Sequence, residues 1–140
     1  MIRVDFYILK TTSLHILPFV CKLVEKAYAI KQRVYIHADS VSQARQLDDL
    51  LWTFREGDFI PHQMLGDKLE SLCPIYIGSD NNVLNEGEIL INLTAIVPEF
   101  YASFTRIIEV VPGVEPQRSE SRKKYAYYRD QACQLQTHQL

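Results

Sequence analysis

The sequence predicts a three-layer α/β sandwich with a mainly parallel sheet. Short runs of β-branched and aromatic residues alternate with longer amphipathic stretches, and the first three elements read strand, helix, strand, an order that joins two parallel strands through a right-handed crossover. At 140 residues, 47% of them hydrophobic and 23% charged, the chain fits one domain over residues 1–140, with no internal repeat, low-complexity tract or linker to divide it.

Val4 to Leu9 (VDFYIL) is the first strand. After the Lys10-Thr11-Thr12-Ser13 turn, Leu14 to Lys31 has two adjoining apolar sets, Leu14, Leu17, Cys21, Val24 and Tyr28 beside Val20, Leu23, Ala27 and Ile30. A helix with so broad a stripe suits packing on a sheet, and Pro18 falls near its first turn, where a missing N–H is tolerated. Arg33 to His37 is the second strand. Ser40 then caps a second helix, with Gln43 at capping-box spacing and Val41, Ala44, Leu47 and Leu51 as its core stripe. Pro74 to Ile77 and Ile89 to Leu93 are further strands, with a turn at Gly78 to Asn82 between them. Val97 to Phe104 reads as a short helix, Arg106 to Val111 as a last strand stopped by Pro112-Gly113, and Gln117 to about Leu135 as a final helix.

The second helix runs into Leu51-Trp52 and then a loop that contains Gly57, Asp58 and Pro61 yet still carries Phe54, Phe59 and Ile60. Residue type alone favours burial of these rings beneath their own loop; the competing reading is an exposed patch for another protein. On the final helix, at about 100° per residue, Arg118, Arg122, Tyr125 and Arg129 fall in one narrow stripe, three guanidiniums around one phenol.

Composition excludes several classes. A net charge of −2 and a pI near 6.1 argue against a nucleic-acid-coating protein, although Arg118, Arg122, Lys123, Lys124 and Arg129 crowd the last quarter and leave room for a local anion site. Cys21, Cys73 and Cys133 form no C-x-x-C pair and read as reduced packing residues. His15, His37, His62 and His138 make no metal-ligand spacing and read as surface or capping residues. There is no G-x-G-x-x-G after the first strand, no P-loop and no G-x-S-x-G, and Asp48-Asp49 reads as a solvated face. No cofactor, metal or catalytic activity is expected. No signal-peptide pattern and no long apolar run is present, which points to a soluble, cytoplasmic protein.

Several features in a fixed order resemble the chi subunit family of the bacterial DNA polymerase III holoenzyme, over nearly the full length. They are the opening F-Y-x-L strand (Phe6, Tyr7, Leu9), L-D-x-x-L-W followed by F-x-P-H (Leu47, Asp48, Leu51, Trp52; Phe59, Pro61, His62), the I-L-I-x-L strand (Ile89 to Leu93) and F-T…V-P (Phe104, Thr105; Val111, Pro112) before a basic, tyrosine-bearing helix. The resemblance implies a Rossmann-like fold without nucleotide chemistry and a non-catalytic adaptor. It implies a psi-subunit contact through Trp52 and Phe59, a side that a repair helicase also occupies. It further implies a site for the acidic C-terminal tail of single-stranded DNA-binding protein at Val111, Arg122 and Tyr125. A tail ending in a phenylalanine carboxylate needs a guanidinium, an apolar wall and outlying cations, which Arg122, then Val111 with Tyr125, then Arg118, Lys123, Lys124 and Arg129 supply. One departure is Ala126, where the family commonly has Lys, and Lys123 or Lys124 is expected to compensate. The alternatives are a direct single-strand DNA binder using Tyr125, Tyr127 and Tyr128, or a phosphate-binding α/β enzyme without a recognisable motif.

Overall fold

The computed structural model describes residues 1–10, 16–53, 60–64, 74–79 and 88–139. Among these residues seven strands follow in chain order as β1 (Arg3–Leu9), β2 (Val34–His37), β3 (His62–Met64), β4 (Ile75–Gly78), β5 (Ile89–Asn92), β6 (Arg106–Pro112) and β7 (Gln134–Gln139). Helix α1 (Ile16–Ala29) follows β1, α2 (Val41–Thr53) follows β2 and α3 (Gln117–Asp130) follows β6. Every pairing is parallel, in the spatial order β3-β4-β2-β5-β6-β1-β7.

This order decides which face each helix covers. From β1 to β2 and from β2 to β3 the chain steps towards one edge of the sheet, whereas from β6 to β7 it steps towards the other. Right-handed crossovers made in opposite directions put their helices on opposite faces. Accordingly, α1 and α2 bury Val20, Val24, Ala44, Leu47 and Leu51 on a layer built from Leu9, Val34, Ile36, Ile75, Ile77, Ile89, Ile91, Ile108 and Val110. On the other face α3 packs Tyr128 among Val4, Phe6, Tyr35, Tyr76, Leu90, Phe104, Ile107 and Val111. Alternate residues of β1, β2, β5 and β6 thus serve different cores, so both faces are apolar and the strands read as continuous hydrophobic runs.

The α/β class, the parallel sheet and five of the strands agree with expectation to within one residue at each end. The capping box at Ser40 is present: Gln43 N–H donates to Ser40 Oγ at 3.1 Å, while the Gln43 side chain reaches back one residue further than expected, accepting from Asp39 N–H at 2.8 Å. Val41 is half-exposed, so the core stripe of α2 begins at Ala44. Between residues 97 and 104 only Tyr101–Ser103 is helical, a single 3-10 turn. Phe104 must already be extended, at φ −115° and ψ 152°, to lead into β6.

The final helix is shorter than expected and is followed by β7, which, like the three-residue β3, is a strand the sequence does not announce. The cause is an alanine in a glycine's place. Ala132 stands at φ 60°, with Cys133 N–H donating to Tyr128 O at 3.1 Å and Ala132 N–H to Arg129 O at 3.0 Å, the two bonds of a Schellman motif. Lys31, at φ 60°, ends α1 in the same way, with Gln32 N–H bonded to Ala27 O and Lys31 N–H to Tyr28 O. Neither stop carries the usual glycine signal. The polar β7 (QLQTHQ) is held by pairing with β1 and by side-chain contacts to it: Arg3 to Gln136 at 2.8 Å, His138 Nε2 to Asp5 Oδ1 at 3.0 Å, and the His138 ring stacked on Tyr7.

Candidate functional site

Helix α3 has two chemically different faces. Ser121, Lys124 and Tyr128, at spacings of three and four, turn inward, while Arg118, Arg122, Lys123, Tyr125 and Arg129 remain exposed. The predicted stripe of three arginines and one tyrosine is therefore displayed.

Lys124 is a correction. It was expected among the outlying surface cations, but its ammonium lies 2.7 Å from Glu109 Oε1 and donates to Thr94 O at 2.9 Å, and the residue is buried. Glu109, fully buried on β6, leaves it little choice: the other carboxylate oxygen already accepts from Tyr128 Oη at 2.7 Å and Asn92 Nδ2 at 2.9 Å. A carboxylate this deep needs a counter-ion, and Lys124 is the cation that reaches it. Burial, with the Glu109 charge beside it, pushes the Tyr128 phenol well above its ordinary range. Tyr128 is thus a core residue, and Tyr127 meets Tyr101 and Tyr128 edge-on, so the three neighbouring tyrosines do not form a row of free ring faces for bases.

Two recesses flank Arg122. One, of about 190 Å³, is lined by Phe6, Ile8, Ser121, Arg122, Tyr125 and Thr137, with the Phe6 and Tyr125 rings tilted at 5.5 Å between centroids. The second, of about 260 Å³, shares Ile8, Ser121 and Arg122 but has Val111, Lys10 and Arg118 in its wall. Val111 and Tyr125, expected to hold one ring together, therefore line different recesses on either side of the Arg122 stem. Arg129 is not part of either lining; it lies two turns further along α3 and pairs with Asp130 at 3.5 Å in an exposed contact of little energetic weight. Lys123 is exposed and also lines neither recess.

On the opposite layer, Trp52 ends α2 with 54% of its surface exposed. Its ring lies against His62 of β3, with centroids 4.8 Å apart. His62 is not at the surface as expected: it is buried, with Nδ1 2.7 Å from Ile60 O and Nε2 3.0 Å from Asp48 Oδ1. Asp48 is thus more than a solvated acid, since it ties α2 to β3 beneath Trp52. Phe54 and Phe59, like Thr11 to Leu14 and Cys73, lie outside the described residues. His37 is buried as well, 3.0 Å from Tyr35 Oη. Cys21 and Cys133 are free, and burial pushes the Cys21 thiol up to about 12. Among the described residues no group of His, Cys, Asp and Glu is placed to hold a metal ion, and no helix is long and apolar enough to cross a membrane.

The molecule is thus a Rossmann-like α/β domain that presents a basic, aromatic helix face on one layer and an exposed tryptophan on the other. The chain belongs to the family described as DNA polymerase III chi subunit, HolC, whose sequence profile matches residues 1–136. Relatives named DNA polymerase III subunit chi include one from Pseudomonas aeruginosa, 36% identical over all of this chain and 98% of its own length. Another, from Haemophilus influenzae, is 31% identical over 95% of this chain and 94% of its own. The Escherichia coli protein of the same name is 27% identical over 84% of this chain and 81% of its own.

Proposed function

We propose that this chain is a non-catalytic adaptor within the DNA polymerase III holoenzyme, joining the clamp loader to single-stranded DNA-binding protein in the cytoplasm. One surface, around Trp52 and Phe59, takes the psi subunit, and a repair helicase competes for it. The other, on α3, takes the acidic C-terminal tail of single-stranded DNA-binding protein and so meets DNA only indirectly. The observation that carries this reading is the recess walled by Phe6, Ile8 and Tyr125 with Arg122 at its rim. An aromatic side chain fits the apolar wall while its terminal carboxylate meets the guanidinium fork. Val111 and Arg118 line the adjoining recess, and Lys123 and Arg129 act from further off on the aspartates of the tail.

The test is titration of a fluorescent acidic peptide ending in phenylalanine into the wild-type protein and the Arg122→Ala and Tyr125→Ala variants. Each variant should weaken binding about tenfold or more, the range for losing a charge-assisted contact or an aromatic anchor. Equal affinity for all three proteins would remove the tail as a ligand of this face.

A further inference from the structure

The recess containing Lys10, Arg118 and Arg122 lies at a particular place in the topology. Its walls come from the carboxyl ends of β1 (Ile8, Leu9, Lys10) and β6 (Val111, Gly113), the adjacent pair from which the chain departs in opposite directions, α1 to one face and α3 to the other. Open parallel sheets bind ligands in the crevice at such a reversal. Here the crevice is charged: Lys10, Arg118 and Arg122 are all in its lining, and among the described residues that lining contains no carboxylate. Glu115 is engaged by Ser119, accepting from Oγ at 2.6 Å and from the backbone N–H at 3.3 Å, and these hydrogen bonds, with smaller contributions from the Arg122 and Arg118 charges nearby, hold its carboxyl below the ordinary range.

Lys10 is brought there by backbone packing. A Cβ on Gly113 would collide with Leu9 O and stand 3.5 Å from Lys10 Cα, so only glycine lets the β6 turn press this closely on the end of β1. Lys10 immediately follows that contact, is exposed, and faces α3 across the recess.

We infer that Lys10 is a further cation of the peptide site, the third in this crevice. The crevice it shares with Arg118 and Arg122 takes the acidic side chains that precede the terminal phenylalanine, while the neighbouring Phe6–Tyr125 recess takes the ring. This rests on the tail-binding reading above and assigns a specificity role within it: the ring recess selects the last residue, and the crevice counts the negative charges before it. Point charges on opposite sides of a narrow recess favour a chain of carboxylates over an isolated one, and their effect fades with salt.

The experiment uses two free-acid peptides ending in phenylalanine, one with aspartates before it and one with asparagines at the same positions. These are titrated into wild type, Lys10→Gln and Arg122→Ala at low and high salt. Lys10→Gln should weaken the aspartate peptide about fivefold at low salt and less at high salt, and leave the asparagine peptide within about twofold. Arg122→Ala should weaken both. If Lys10→Gln affects the two peptides alike, or neither, the role assigned to Lys10 is wrong even though tail binding stands. If Arg122→Ala also leaves both unchanged, the tail-binding reading itself fails.

Discussion

Replacing Lys124 by Met separates a structural lysine from a ligand-binding one. In the wild type its ammonium meets Glu109 at 2.7 Å, with both side chains nearly inaccessible to solvent. Met keeps the apolar stem and removes the charge, leaving the Glu109 carboxylate, among the described residues, with the donors of Tyr128 and Asn92. Removing one member of a buried pair costs about 3–5 kcal/mol. Two remaining hydrogen bonds put this case near the lower end, at about 3 kcal/mol. At about 0.05–0.15 kcal/mol per residue, a chain of this length has about 7–20 kcal/mol in all, so the loss is a large fraction. It corresponds to a fall of about 6–12 °C in Tm. Urea unfolding followed by circular dichroism reads it as a lower midpoint at unchanged slope. Removing both charges, in Lys124→Met with Glu109→Leu, should recover most of the loss, because the uncompensated carboxylate goes too. Peptide affinity, measured well below the transition, should change less than twofold. A Lys124→Met protein as stable as wild type but weaker in peptide binding would refute this reasoning and return Lys124 to the surface site.

Other outcomes follow from the same contacts. Trp52→Ala should weaken psi binding by about 2 kcal/mol or more with a much smaller effect on unfolding, because the ring is half-exposed; a strongly destabilised variant would make Trp52 a core residue. Amidating the peptide terminus should cost nearly as much as Arg122→Ala, and the two losses should not add, as expected when both remove one contact; additivity in the cycle would separate them. Glu115→Gln should tighten the acidic peptide about twofold at low salt and not at high salt, since it removes an anion beside Arg122 and Arg118; unchanged low-salt affinity would remove Glu115 as a competitor. Burial opposes ionisation of Asp5, but hydrogen bonds from His138 and Arg106, the Arg106 charge and a hydrogen bond from Arg3 outweigh it and hold the carboxyl below its ordinary value. Its folded pKa is therefore below the unfolded one of about 3.9, so its stabilisation is complete above that pH and is lost as pH falls through the lower, folded value. Acid unfolding of Asp5→Asn should lack this component, and identical acid profiles would refute it.

Most of the fold was legible because its signals are local. Interior strands of the sheet are runs such as VDFYIL and RIIEVV, and Ser40 with Gln43 announces α2. What escaped notice was carried by backbone conformation or by distant partners. Ala132 and Lys31 end helices in a conformation that glycine usually signals, and β7 is a strand only because β1 offers it an edge. The surface stripe of α3 was legible from its spacing alone. The inward turn of Lys124 was not, because its partner Glu109 lies fifteen positions away and reads, within IIEVV, as an ordinary strand interruption. A charged residue in the middle of an apolar strand is the signal that could have found the pair. Lys10 was not counted among the peptide-site cations for a related reason: nothing in a single lysine after a strand reveals that a glycine over a hundred positions later will close on it.

The reversal of chain direction on the two sides of the sheet has a mechanical consequence. Trp52 belongs to one outer layer and Arg122 to the other, with a continuous sheet of parallel strands between them. On the proposed reading, partners docked on these two faces do not compete for space, and a pull applied between them is carried across the hydrogen-bonded sheet rather than along a single loop. Such an arrangement behaves as a rigid coupling of fixed span. Two modest affinities joined through it reinforce one another by raising local concentration, and neither contact has to be tight enough to resist release.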